Sequence, residues 1–325
     1  MIKKKPILVV AAEPFGIFSE ILFKTFKKHK LRKPLIIIAS FGLLESQMKY
    51  LKYKIPLNKI DINFKIKDLK KKALNIINVD LSFSKPFKKI SKMSNLYNAN
   101  SFQLALDIIK SNNFAGLING PISKRTFLRG RYNGITEYLG EKTDVKDTVM
   151  LIYNHKLSVS PLTTHIPISK VSNKIKKKTI ISKIKKIDAF YQKVLKKKPR
   201  IAITGLNPHC ESFGSENKEK EEIIPAIKHL RKGKIHIEGP FASDTIFLKE
   251  NSKKYDVIFG MYHDQVLGPM KTLYGFKAIN ITIGLPFLRI SPDHGPNVQM
   301  LGKNKSDPES LIESIRFLEK YAIYS

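Results

Sequence analysis

Short runs of Ile, Leu, Val and Ala bounded by Pro, Gly or Asn recur along this chain, and between them lie longer stretches in which apolar residues return every three or four positions. The runs predict strands at Pro6–Ala12, Pro34–Ala39, Ala115–Asn119, Thr148–Tyr153, Arg200–Thr204, Asp256–Gly260 and Lys277–Thr282. Strands alternating with helical stretches predict an α/β fold, a largely parallel sheet covered by helices. Between Val171 and Lys198, the residues Ile175, Ile180, Ile181, Ile184, Ile187, Phe190, Val194 and Leu195 fall at helical spacing with lysines between them. That spacing predicts one amphipathic helix with a solvated lysine face. Lys65–Lys72 is a second basic run with no function attached to it.

Composition narrows the picture. With 325 residues and 42% hydrophobic content the chain can build one large α/β domain or two smaller ones sharing a cleft. Lys3, Lys4 and Lys5 followed by Ile7, Leu8, Val9, Val10, Ala11 and Ala12 imitate a signal peptide, but Glu13 and Pro14 cut the apolar run short, so a buried first strand is expected. No apolar run is long enough to span a membrane, and Cys210 is the sole cysteine, so neither a span nor a disulfide framework is expected and the cytoplasm is the expected compartment. The formal charge of +32 invites a nucleic-acid reading. The lysines are spread along the chain rather than gathered on one face and no nucleic-acid motif accompanies them, so no specific nucleic-acid partner is expected. Anionic substrates would be drawn to any cleft in such a protein.

Three predicted strands end in turn-forming residues that lead to a histidine. Val159–Thr164 leads to His165, Ile201–Gly205 leads through Leu206, Asn207 and Pro208 to His209, and Val257–Gly260 leads through Met261 and Tyr262 to His263. Ligands of open α/β sheets collect at the carboxyl ends of strands, so three imidazoles delivered there have the means to converge on Zn, Co, Ni or Fe and leave a position for a substrate oxygen. Taken singly and on spacing alone, each of these residues is better explained as a hydrogen-bonded structural histidine than as a ligand. His29, His155, His229 and His236 lie in lysine-rich or helical surroundings and are expected at the surface. Cys210 has no base placed beside it by a motif and is expected to be a small inert filler.

The C-terminal third carries a resemblance. Gly239-Pro240-Phe241-Ala242-Ser243-Asp244-Thr245-Ile246-Phe247, Met261-Tyr262-His263-Asp264-Gln265, Asn280-Ile281-Thr282-Ile283-Gly284-Leu285-Pro286-Phe287-Leu288-Arg289 and Asp293-His294-Gly295 closely resemble the 4-hydroxythreonine-4-phosphate dehydrogenases of vitamin B6 biosynthesis. Gly205-Leu206-Asn207-Pro208-His209, Thr163-Thr164-His165 and Asn119-Gly120-Pro121-Ile122-Ser123-Lys124 resemble the same family in the same order, so the likeness runs from Asn119 to Gly302. It implies NAD-dependent oxidation of 4-hydroxythreonine 4-phosphate to a keto acid that decarboxylates, with a divalent metal (Zn, Mg or Co). His165, His209 and His263 fall on the family's metal ligands, and Thr136, Lys271, Asn280 and Arg289 fall on residues that hold the phosphorylated substrate. Asp293, His294 and Gly295 fall on the loop that meets the dinucleotide. Lys271, Asp264 and Asp244 remain alternative candidates for proton transfer. Gly-x-Gly-x-x-Gly is absent after the first strand, which argues against an ordinary Rossmann cofactor site.

The same resemblance implies two α/β/α domains with a shared cleft, related to isocitrate and isopropylmalate dehydrogenases. It further implies a homodimer with its active site at the interface and one histidine ligand from the neighbour. The expected first domain is 1–131 with 291–325, and the expected second, 132–290, carries the metal and substrate residues. Three departures stand out. The family's Gly-His-Thr-Glu is Gly134-Ile135-Thr136-Glu137 here, and Gly-Asp-Pro-Ala-Gly-Ile-Gly-Pro-Glu is Ala12-Glu13-Pro14-Phe15-Gly16-Ile17-Phe18-Ser19-Glu20. Pro296 and Asn297 replace the usual Thr-Ala after Gly295. Ile135 in place of an imidazole keeps a dehydrogenase of threonate or erythronate 4-phosphate as an alternative. A catalytically silent basic binding protein is a second alternative.

Overall fold

The computed structural model describes all residues except 1–4, 91, 112–113, 124–126, 129, 133, 212–216, 293–294, 296 and 323–325. Strand β1 (Ile7–Val10) is fully buried along its length, as expected of a parallel strand covered on both faces. Helix α1 (Phe18–Lys28), β2 (Leu35–Ala39), α2 (Phe41–Tyr50), β3 (Leu57–Ile60), β4 (Leu74–Asn78), α3 (Lys92–Ser111), β5 (Gly116–Asn119) and α4 (Ile135–Lys142) follow. Next come β6 (Val149–Tyr153), β7 (Ser158–Pro161), α5 (Val171–Lys174), α6 (Lys177–Phe190), β8 (Ile201–Thr204) and α7 (Ile224–Lys232). Then follow β9 (Ile237–Phe241), α8 (Lys249–Ser252), β10 (Val257–Gly260), α9 (His263–Tyr274), β11 (Ile279–Ile283), β12 (Arg289–Pro292) and α10 (Glu309–Tyr321).

These elements divide into two compact units, Met1–Leu139 with Pro286–Ile323, and Gly140–Leu285. In the first, six parallel strands run in the order β3-β4-β2-β1-β5-β12. In the second the order is β11-β6-β7-β10-β8-β9, with β7, β10, β8 and β9 parallel and β6 antiparallel to both its neighbours. The largely parallel sheet expected from the sequence therefore describes the first unit better than the second. The physical reason is the short connection after Tyr153, where Asn154 N–H donates to Leu157 O and Asn154 Oδ1 accepts from Lys156 N–H, since a tight turn can join only antiparallel strands.

All seven strands predicted from apolar runs are present within a residue or two, and β3, β4, β7, β9 and β12 are additional, β7 falling on the Val159–Thr164 run that leads to His165. The helix expected over 171–198 is broken. α5 ends at Lys174, Ile175 and Lys176 are extended, and α6 passes into a π-helical turn at Tyr191–Leu195. Ile175 is completely buried, so the periodicity that read as one continuous helix comes from two elements facing the same core. The unit boundaries fall at Leu139/Gly140 and Leu285/Pro286. Thr136 and Arg289 thereby belong to the first unit and not, as the sequence suggested, with the histidines, because β12 pairs in parallel with β5 (Arg289 opposite Leu117). His155, His229 and His236 are exposed as expected. His29 is not, since its Nε2 lies 3.1 Å from Glu319 Oε2 with its side chain 13% exposed. Among the described residues no helix is long and apolar enough to cross a membrane.

Candidate functional site

Parallel strands β7, β10 and β8 lie side by side, so their carboxyl ends share one edge of the second unit, and each delivers one of the three singled-out histidines. The rings of His165 and His263 are neighbours, 5.7 Å between centroids. Two imidazoles on one tetrahedral cation, with metal–nitrogen bonds of about 2.0–2.1 Å, hold their centroids roughly 5 Å apart, so this pair fits a shared ion after a small adjustment. His263 opens α9, and its Nδ1 lies 2.8 Å from Asp264 Oδ1. A proton held on Nδ1 by that carboxylate leaves Nε2 as the ligating nitrogen, the usual second contact of a metal-binding histidine. Asp264, 90% exposed, thus orients an imidazole besides being a candidate proton carrier.

His209 sits differently. It is exposed, and it and Cys210 both adopt left-handed backbone (φ 55° and 60°) in the tight turn Pro208–Cys210. Two consecutive non-glycine residues in that region cost on the order of 1–3 kcal/mol each, which the surroundings must offset. They do so through Glu219, 1% exposed, whose Oε1 accepts the N–H groups of Leu206 and Asn207 (2.9 Å each) while Oε2 accepts from Asn207 Nδ2 (3.0 Å). Cys210 folds back over Gly205, where any Cβ would stand 2.8 Å from its Sγ. Burial, helped by the negative charges of Glu219 and Asp244, pushes the Cys210 thiol above its ordinary pKa, so it is a filler and not a thiolate nucleophile. Among the described residues no three His, Cys, Asp or Glu side chains stand together as a metal site. The single chain pairs His165 with His263 and does not gather His209 with them.

The remaining candidates separate by unit. In the first, Arg289 is completely buried on β12, its Nε donating to Asn119 Oδ1 (2.8 Å) and one terminal nitrogen to Thr136 Oγ1 (3.4 Å). Burial pushes its guanidinium down to about 10, and Glu137 pulls the other way. Asn119 is the orienting residue that the sequence reading quoted without giving it a role. In the second unit Asn280, on β11, holds a buried side-chain oxygen that finds no hydrogen-bond partner, and Lys271, on α9, sets its Nζ 5.6 Å over the Phe276 ring. Asp244 is exposed. Of the expected dinucleotide residues, Gly295 is exposed, and Asp293 and His294 lie outside the described residues.

The departures at the start of the chain have a structural form. Ala12, where the family has glycine, adopts φ 59°, and Phe15 and Phe18 are buried where relatives carry Ala and Gly. Phe18 presses on Gly120, whose Cβ would stand 2.8 Å from its ring. Ile135, the first residue of α4, is half-buried beside Thr136.

A family model described as "Pyridoxal phosphate biosynthetic protein PdxA" matches residues 30–318. A 4-hydroxythreonine-4-phosphate dehydrogenase from Sulfurihydrogenibium sp. is 39% identical over 94% of this chain and 95% of its own length. A protein of Oceanobacillus iheyensis provisionally named D-threonate 4-phosphate dehydrogenase is 29% identical over 96% of both chains. The crystal structure of 4-hydroxythreonine-4-phosphate dehydrogenase from Klebsiella pneumoniae superposes with a TM-score of 0.84 at 28% identity, covering 98% of this chain and 99% of that one. Isocitrate dehydrogenase from Methylococcus capsulatus, 11% identical with a TM-score of 0.50 over 97% of this chain and 85% of that one, shares the fold alone.

Proposed function

This chain belongs to the family of the pyridoxal phosphate biosynthetic protein PdxA, and from that premise we propose that it is an NAD- and divalent-metal-dependent dehydrogenase of 4-hydroxythreonine 4-phosphate. The observation that carries the metal half of the proposal is the His165–His263 ring pair at adjoining strand exits, with Asp264 on the inner nitrogen of His263. His165, His209 and His263 are the metal ligands in this reading, with one of them supplied by the second subunit of a cytoplasmic homodimer. Ile168, Leu248, Leu273 and Phe276 of the second unit are each 49–69% exposed, apolar side chains that a subunit partner would cover.

A divalent metal held by His165, His209 and His263 would supply Lewis acidity toward a substrate hydroxyl, and a bound nicotinamide would supply the hydride acceptor. The chain's own side chains do the rest. Arg289, oriented by Asn119 and Thr136, offers a donor that is charged at neutral pH to a phosphate or carboxylate oxygen, and Lys271 offers a second positive charge when protonated and a proton acceptor when neutral. Asn280 Oδ1 has the free acceptor capacity to receive an ammonium or hydroxyl hydrogen of the substrate. The hydroxyl proton leaves to Lys271, Asp244 or Asp264, and the resulting β-keto acid loses carbon dioxide. Gly295, with Asp293 and His294, is assigned to the dinucleotide by resemblance.

D-threonate 4-phosphate is the second reading, favoured by the Oceanobacillus relative and by Ile135 where an imidazole is usual. NADH formation by the purified protein with each substrate, with Mg, Co or Zn added, tests both. A higher kcat/KM for 4-hydroxythreonine 4-phosphate supports the proposal. A higher value for D-threonate 4-phosphate replaces it with the second reading.

A further inference from the structure

We propose that Gln265 is a positioning residue that locks the three histidine-bearing loops into register for metal binding; the inference rests on the metal reading above. Gln265 lies in the first turn of α9, two residues past His263, and is 7% exposed. Its Oε1 accepts the Met261 N–H (2.6 Å) and the Thr204 hydroxyl (2.9 Å), while its Nε2 donates to Gly205 O (2.8 Å). Thr204 and Gly205 are the exit of β8, four residues or so before His209, and Met261 is the exit of β10, two before His263. The Met261 carbonyl in turn accepts from the Thr163 hydroxyl (2.8 Å) and the Thr163 N–H (3.2 Å), two residues before His165. One buried carboxamide and the backbone N–H and C=O of Met261 therefore link the three exits by hydrogen bonds.

Two further features show that the space around this amide is shaped for it. A Cβ on Gly260 would stand 2.9 Å from Gln265 Oε1 and 2.4 Å from Val266 Cγ1, so glycine at the end of β10 admits the side chain. A carboxamide accepts two bonds and donates a third from one planar group, which neither an ionised Glu nor a Met of the same length can do. A fold staple could as well have sat in the middle of the strands. This one joins their ligand-bearing ends, and partners at that distance from a metal ligand typically change affinity 10- to 100-fold when removed.

Co²⁺ binding to the full-length protein, followed by calorimetry and by the visible absorption of the bound ion, tests the inference independently of turnover. Gln265→Met is expected to bind Co²⁺ about 10- to 100-fold more weakly than wild type with an altered spectrum, and Gln265→Glu likewise. Thr163→Val, which removes one hydroxyl and preserves shape, serves if the Gln265 variants fail to fold, and a severalfold loss of affinity is expected. Wild-type affinity and spectrum in folded variants would overturn the inference while leaving the metal reading intact. Failure of wild type itself to bind Co²⁺ would overturn the metal reading and this inference together.

Discussion

Replacing Arg289 with Met should make the protein more stable and less active. The guanidinium is completely buried, and burial pushes its pKa well below the ordinary arginine value, down to about 10. At about 1.4 kcal/mol per tenfold change in proton affinity, holding the charged form inside costs the folded state about 3 kcal/mol at neutral pH. Methionine fills a similar volume without charge. It leaves Asn119 Oδ1 and Thr136 Oγ1 without their present donor, a loss of about 1 kcal/mol for each acceptor that does not find another. The net expectation is a gain of about 1 kcal/mol or more, because the cost of burying the cation outweighs the attraction of Glu137 that is lost with it. Thermal unfolding should show a Tm a few degrees higher at pH 7. Above about pH 10, and up to the ordinary arginine range, the unfolded chain holds a proton that the folded protein has released, so wild type gains stability with rising pH there and Arg289→Met does not. Steady-state kinetics on the same variant should show KM for the phosphorylated substrate raised about 100-fold, as expected for a lost charge-assisted pair. A Tm several degrees below wild type would refute the reasoning, because the cation would then be a structural prop and not a charge kept at a cost for a ligand.

Ala12→Gly relieves a left-handed backbone at φ 59° and should stabilise the protein by about 0.5 kcal/mol after allowing for the greater freedom of glycine in the unfolded chain, read as a denaturant midpoint at unchanged m. Gly116→Ala should destabilise it by about 2–4 kcal/mol in the same assay, because φ is +157° and the new Cβ would meet Leu318 Cδ2 at 2.7 Å and Leu288 O at 2.8 Å. Cys210→Ala should leave kcat/KM within about twofold of wild type, and iodoacetamide should label the native thiol slowly at neutral pH, since its pKa is raised.

What the sequence disclosed and what it hid follow from different physics. β1 and β2 are uniformly apolar because they are buried on both faces, and such runs announce themselves. β3 is an edge strand, Leu-Asn-Lys-Ile, with exposed or half-exposed positions, and β9 contains Gly239-Pro240, which reads as a turn. β12 was hidden by Arg289, since a buried charge in a four-residue strand looks like surface. The histidines were legible because each follows a strand end in a family motif. The left-handed turn at His209 and the Gln265 and Glu219 braces were not legible, because side-chain hydrogen bonds between segments 13 and 60 residues apart leave no periodic trace. The place of Thr136 and Arg289 in the first unit depended on a pairing, β12 with β5, that joins residues about 170 positions apart.

The measurement closest to the central claim is NADH formation from 4-hydroxythreonine 4-phosphate and NAD by protein stripped of divalent metal with a chelator and then resupplied. The account expects turnover to vanish on stripping, to return with Mg, Co or Zn, and to stay absent in His209→Ala whatever metal is added. Undiminished turnover by the stripped protein, or wild-type turnover by His209→Ala, would contradict it.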